Sequence, residues 1–181
     1  DHGMNASTFT TMVVNSSLSD MYSSVVAGIG SLKGPLHGGA NEQVLYVLDE
    51  IDKPDNVEKW YVDAKATKRK VMGFGHRVYK AYDPRARILG PLADYMATKN
   101  PGLKSLAETA KRLDKVVCDD LGKTKKVFPN VDFYSGIVYR GFGIETAMFT
   151  PIFAVSRISG WTARVLEYLP DNRIFRPRAI Y

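Results

Sequence analysis

Leu103, Leu106, Ala107, Ala110, Leu113, Val116, Val117 and Leu121 recur at spacings of three and four residues. Only a helix gathers such a set on one face; a strand would need period two. The stretch 103–121 is therefore expected to be an amphipathic helix that needs other apolar faces to cover it. The same period supplies them. Val44, Leu45, Val47, Leu48 and Ile51 mark a helix over 40–51, and 85–98 reads as another, parted from 103–121 by Pro101-Gly102. Lys53-Pro54-Asp55 ends the first of these, and a short helix follows over 57–67. Gly122 stands where a C-cap would close 103–121. Residues 12–30, rich in serine and small residues, are helix-compatible. The stretch 143–169 reads as one long apolar helix with a kink or restart at Pro151. Only VDFYSGIVYRGFG (131–143) leans to strand, through its aromatic and β-branched content. Everything else says all-α.

Composition narrows the function. The chain has 181 residues, 45% of them apolar, enough for one domain or two small ones with a real core. No run approaches the roughly 18 apolar residues of a membrane span, and no repeat or low-complexity tract is present. The single cysteine, Cys118, excludes an internal disulfide framework and a thiol-clustered zinc site, and suits a reducing compartment. The sequence opens on Asp1 without an initiator Met or a signal-like segment, so targeting is not read from it. Net charge is +6, with basic residues bunched in KATKRK (65–70) and GKTKK (122–126). These clusters suit phosphates or acidic ligands, or simply form a solvated face. No basic stripe interleaved with aromatics points to nucleic acid.

The three histidines share a setting: DHGMNAS, GPLHGGAN and GFGHRVYK put His2, His37 and His76 near glycine and beside helix-compatible stretches. Imidazole near neutrality can donate a proton, accept one or polarise a carbonyl, and glycine lets backbone approach a ligand without a Cβ clash. A lone histidine is more often structural, satisfying a buried carbonyl; three in one kind of setting favour a site. No pair has the i, i+4 spacing of a zinc-binding helix, so no metal is expected. In YKAYDPRAR (79–87) Asp83-Pro84 starts a helix, with Arg85 in its first turn. A cation opposes the helix dipole there, so Arg85 either meets an anion beside the helix amides or points to water. Asp132, in FPNVDFYSG, is either a carboxylate made more basic by burial or a turn cap after Pro129-Asn130.

DHGMNASTFT, GPLHGGANEQVL, GFGHRVYKAYDPRA, PNVDFYSGIVYRGFG, FAVSRISGW and RPRAIY together resemble the citrate synthase family, in family order across essentially the whole chain. Their wording is similar to the prokaryotic branch. The resemblance implies a helical fold of large and small domains that close over the substrates, and it overrides the strand leaning at 131–143. It assigns 1–46 to the large domain, 47–150 to the small domain and 151–181 to a large-domain C-terminal segment and arm. It also implies the C-terminal part of a longer enzyme, with helices elsewhere to cover the apolar faces of 11–30 and 143–169.

The resemblance further implies condensation of oxaloacetate with acetyl-CoA, then hydrolysis of the citryl-CoA thioester, an acyltransferase step of the tricarboxylic acid cycle. By it, Asp132 takes a proton from the acetyl methyl, His37 hydrogen-bonds the thioester oxygen, and His76 polarises and protonates the oxaloacetate carbonyl. His2, Arg85, Arg157 and Arg176 match oxaloacetate-binding positions. The backbone of Met72, Gly73, Phe74 and Gly75 would lie near the adenine of CoA, with Lys80, Lys123 and Lys125 near its phosphates. Acetyl-CoA is then a co-substrate, and no cofactor is permanently bound. The expected assembly is a homodimer or higher oligomer with Arg176 acting across the interface, in the cytoplasm, without nucleic acid or membrane. The alternatives are a 2-methylcitrate synthase using propionyl-CoA, a citrate- or citryl-CoA-cleaving lyase module, and a non-catalytic acyl-CoA-binding protein.

Overall fold

The computed structural model describes residues 3–180, and among these it contains helices, turns and one isolated bridge but no strand. The chain divides into two compact units, Ala40–Phe149 and Asp1–Gly39 with Thr150–Tyr181.

In the first unit the 103–121 stripe forms α6, Lys104–Val117, with Ala107, Ala110, Leu113 and Val117 buried. Around it lie α3 (Ala40–Ile51), α4 (Val57–Ala66), α5 (Pro84–Lys99), a single turn α7 (Lys123–Lys125) and α8 (Val131–Gly141). The core is the sum of their apolar stripes: Val44, Leu45, Leu48 and Ile51 of α3, Leu113 and Val117 of α6, Phe133 and Ile137 of α8 are all at most 1% exposed. Small residues set the spacing. A Cβ on Gly136 would sit 3.0 Å from Leu45 Cγ of α3, and one on Gly141 would sit 2.8 Å from Met96 Cβ of α5. Thus α8 lies close against both neighbours.

Two expectations fail in this unit. Residues 131–141 are helix, because Phe133, Tyr134, Ile137 and Val138 fall on one helical face and are buried there; burial outweighs the weak intrinsic preference of such residues for strands. Gly122 is not a left-handed C-cap. It lies at φ −62° inside a π-turn, Cys118–Gly122, and the chain turns out only at Lys126, φ 53°. Phe128 explains the glycine, since its ring would meet a Cβ at 3.0 Å.

The second unit contains α1 (Ala6–Ser16), α2 (Met21–Leu32) and α9 (Phe149–Tyr168, entering the unit at Thr150). The 12–30 stretch is two helices rather than one, broken where Leu18 takes φ 63°. Gly28 of α2 abuts Thr11 of α1 and Trp161 of α9, at 2.5 Å and 3.2 Å from a built Cβ. Pro151 causes no kink, because α9 begins at Phe149 and puts the proline in the first turn, where no intrahelical donor is needed. After Asp171 the described chain has no regular secondary structure. It is held by Asn172 Nδ2 to Ser16 O (3.0 Å) and Phe175 N to Ser16 Oγ (3.1 Å), with Phe175 stacked on Tyr168. Tyr22, Val26, Val155 and Leu166 leave apolar surface exposed on α2 and α9. No helix of the described residues is long and apolar enough to cross a membrane.

Candidate active site

In the Ala40–Phe149 unit, one short pairing fixes the site. Gly75 N donates to Phe128 O (2.8 Å) and Asn130 N to Gly73 O (2.9 Å), on either side of a Phe74–Pro129 bridge. Asn130 Nδ2 adds a bond to Gly75 O (2.9 Å). Gly73 and Gly75 have φ of 80° and 81°, and a Cβ on Gly73 would lie 2.8 Å from Phe133 Cδ2. At Gly73 glycine is required both by conformation and by space, at Gly75 by conformation alone. The pairing leaves the Phe74 amide and carbonyl facing away from the 128–130 segment.

Asn130 also begins α8. Its side chain accepts from Asp132 N (2.9 Å), so Asp132 is the second residue of the helix. Asp132 is not the cap; the capping role belongs to Asn130. The Asp132 carboxylate accepts no hydrogen bond and makes no ion pair among the described residues. Burial raises its pKa to about 7, Arg85 counteracting and Asp83 adding to the rise.

Arg85 meets an anion at its helix start, as a first-turn cation should, but the anion is protein. Asp83, 1% exposed, caps α5 through Arg85 N and grips the guanidinium by Nε (3.1 Å) and Nη2 (2.8 Å). Burial alone would push the Asp83 carboxyl up; the hydrogen bonds from Arg85 outweigh it and hold it below the usual carboxylate value. One edge of the guanidinium is spent on Asp83, while the Nη1 edge remains for a second carboxylate. The Tyr79 ring lies 5.5 Å beneath it.

His76 is oriented by its own loop. Val78 N and Tyr79 N both donate to Nδ1, each at 3.1 Å. Amides only donate, so Nδ1 is bare and the ring proton is on Nε2. Lys80 curls back to His76 O (3.2 Å), and Lys123 and Lys125 are exposed on α7.

The other unit holds His37 and Arg157. Ser7 joins them: its N–H donates to His37 Nε2 (3.2 Å), its Oγ lies 2.8 Å from the same nitrogen, and Arg157 Nη1 and Trp161 Nε1 donate to Oγ at 3.4 Å and 3.2 Å. Since the Ser7 amide can only donate, Nε2 is an acceptor and His37 carries its proton on Nδ1. Burial, then the Arg157 charge, lowers the His37 pKa, so the ring is neutral at pH 7. The glycines beside His37 serve the turn itself. A Cβ on Gly38 would strike Leu32 Cδ1 at 2.5 Å, and one on Gly39 would strike Lys33 O at 2.5 Å. Arg157 is partly buried with no carboxylate in ion-pair range among the described residues, so it is a cation that lacks a protein counter-charge. Arg176 is exposed on the non-helical C-terminal segment, one residue past the anchored Phe175. His2 lies outside the described residues. No group of three His, Cys, Asp or Glu side chains among the described residues could hold a metal ion.

The family model "Citrate synthase, C-terminal domain" matches residues 1–178. The chain belongs to the citrate synthase family. It is 52% identical to a citrate synthase of Deinococcus radiodurans over 100% of this chain and 48% of that one, and 51% identical to citrate synthase 2 of Bacillus subtilis over 100% and 47%. A solved structure of the Thermoplasma acidophilum citrate synthase, a ternary complex with carboxymethyl coenzyme A and oxaloacetate, superposes with TM-score 0.93 at 44% identity, covering 100% of this chain and 48% of that chain. The chain thus spans about half the length of the curated relatives it matches. In this citrate synthase domain, sequence reasoning missed Ser7, Asp83 and Asn130, which orient His37, Arg85 and Asp132. Asp83 and Asn130 carried a visible signal, each being a good N-cap type ahead of a helix. Ser7 carried none, since it acts 30 residues from His37.

An ionised Asp132 without a partner costs stability. Its raised pKa means that its contribution is fully present below the ordinary carboxylate value of 3.8 and is lost as pH rises through about 7. Asp132→Asn should therefore be more stable than wild type at pH 8, by up to about 4 kcal/mol, and little different at pH 3.5. Urea unfolding at the two pH values checks this; equal differences at both would contradict it.

Proposed function

We propose that this chain carries the acid–base groups of a citrate synthase, which condenses acetyl-CoA with oxaloacetate and hydrolyses the citryl-CoA thioester to citrate and CoA. The observation that carries the reading is Asp132: a carboxylate on a helix start, unpaired, and poised near neutrality, as a general base at pH 7 should be. Asp132 removes a proton from the acetyl methyl. The Nδ1–H of neutral His37 donates to the thioester oxygen as negative charge gathers there. The enolate carbon attacks the keto carbon of oxaloacetate, whose oxygen is polarised and then protonated by His76 Nε2–H. Water then cleaves the thioester and releases CoA.

Arg85, with one edge held by Asp83, and Arg157, without a counter-charge among the described residues, suit the two carboxylates of oxaloacetate, as does His2 by its match to the family motif. The Phe74 backbone, facing away from the 128–130 segment, in the run Met72, Gly73, Phe74 and Gly75, suits adenine, and Lys80, Lys123 and Lys125 suit the CoA phosphates. The Thermoplasma relative's oxaloacetate and CoA-analogue complex supports this substrate pair. The relatives' shared name favours acetyl-CoA over propionyl-CoA. A free Cys118 suits the reducing cytoplasm. In the full-length chain, thiol release from acetyl-CoA should require oxaloacetate and fall off below about pH 7 as Asp132 is protonated. Asp132→Asn should cut kcat by about 10²–10⁴ with oxaloacetate affinity nearly intact. Near-wild-type turnover would remove Asp132 from the mechanism.

Arg176 acts, in this reading, on the site of a second subunit in a homodimer. Its support is an exposed guanidinium on a non-helical C-terminal segment that is anchored just before it at Asn172 and Phe175. Arg176→Ala and His76→Ala should each be nearly inactive as homodimers, and mixed, subunit-exchanged samples should regain activity. Exchange without recovery would mean that Arg176 acts within its own subunit or not at all.

A further inference from the structure

Asp114, on α6, belongs to none of the groups given a role above. Its Oδ2 accepts two short hydrogen bonds, from Tyr82 Oη and Tyr134 Oη, both at 2.6 Å. Its Oδ1 accepts the Cys118 thiol at 3.1 Å. Among the described residues no cation pairs with it: on the same helix Lys111 pairs with Asp94 at 2.7 Å, and Arg112 pairs with Asp55 and Glu58. Asp114 is therefore a carboxylate satisfied by hydroxyl and thiol donors, and O–H···O⁻ bonds of this length are among the strong ones. Burial first, and the Asp114 contact with it, pushes both phenols well above the usual tyrosine value, so both remain donors at any working pH.

The two phenols come from the two sides of the site. Tyr82 immediately precedes Asp83, the buried cap that grips Arg85. Tyr134 stands two residues beyond Asp132 on α8, its ring facing Gly90 of α5 at 3.5 Å from a built Cβ. We propose that Asp114 is a positioning residue that ties the Tyr82–Asp83–Arg85 segment to the first turns of α8, and so fixes the Arg85 guanidinium against the Asp132 carboxylate. The inference rests on the proposed function, in which Arg85 holds oxaloacetate and Asp132 is the base. In such a site a displacement of about 1 Å can cost up to about 100-fold in rate.

The test uses the full-length chain carrying Asp114→Ala, Tyr82→Phe or Tyr134→Phe. Two quantities are read: kcat with both KM values, and the Asp132 titration midpoint by carboxyl ¹³C NMR. The charges acting on Asp132 are Arg85 and Asp83 from the α5 start, with Tyr139 facing it from its own helix. If the tether holds Arg85 in place, Asp114→Ala lets the guanidinium drift, and the Asp132 midpoint moves to higher pH. Deleting a negative charge would by itself move it lower, so the sign separates repositioning from simple electrostatics. The kcat should fall by about 10- to 100-fold, and the oxaloacetate KM should rise more than the acetyl-CoA KM. Each Tyr→Phe variant, which removes one hydroxyl and no packing, should show smaller shifts in the same directions and decides the matter if Asp114→Ala does not fold. A folded variant set with the midpoint unmoved or lowered overturns the proposal, whatever the loss of rate. An inactive wild type would overturn the functional reading instead, while the NMR midpoint would still decide the role of Asp114.

Discussion

The backbone pairing of Gly73–Gly75 with Phe128–Asn130 is the constraint on which the Ala40–Phe149 unit of the site depends. Asn130 joins this pairing to α8: its N–H donates to Gly73 O, its side-chain Nδ2–H donates to Gly75 O, and its Oδ1 accepts from the Asp132 amide. The loop leading to His76 and the first turn of α8 are thereby fixed to each other. The glycines follow from this: φ near 80° favours glycine at both Gly73 and Gly75, and at Gly73 a Cβ would also strike Phe133.

What this frame holds is a carboxylate kept in an unfavourable state. A helix N-terminus favours an anion by about 0.3–1 kcal/mol, and Arg85 also favours the charged form of Asp132. Burial outweighs both, since the net displacement runs upward to about 7. The Arg85 charge is largely committed to Asp83, which explains why it does not rescue Asp132. His37 is handled in the opposite sense to a charged acid: burial and Arg157 keep it neutral, and the Ser7 amide selects the tautomer. Local destabilisation at Asp132 is offset elsewhere by the well-covered stripes of α3, α6 and α8.

Sequence periodicity made α3, α5 and α6 legible, because their apolar residues form stripes at helical spacing with polar residues between them. It misread 131–143, where a buried helix carries the same aromatic and β-branched residues as a strand. The break at Leu18 was invisible, because no glycine or proline marks it, and Pro151 suggested a kink because the helix start was placed six residues too early. His37, His76 and Asp132 stand out in the sequence as candidates through their motifs. Their orienting partners do so only in part. Asp83 and Asn130 are local caps, whereas Ser7 to His37, and Tyr82 and Tyr134 to Asp114, join residues 20 to 32 positions apart with no pattern connecting them.

The central claim is that Asp132 abstracts a proton from the methyl of acetyl-CoA, and proton exchange tests it without requiring condensation. The full-length chain, given acetyl-CoA tritiated on the methyl group and a dicarboxylate analogue of oxaloacetate that lacks the keto carbon's reactivity, should release tritium to water. Asp132→Asn should release none above background. Equal release from wild type and Asp132→Asn would contradict the account.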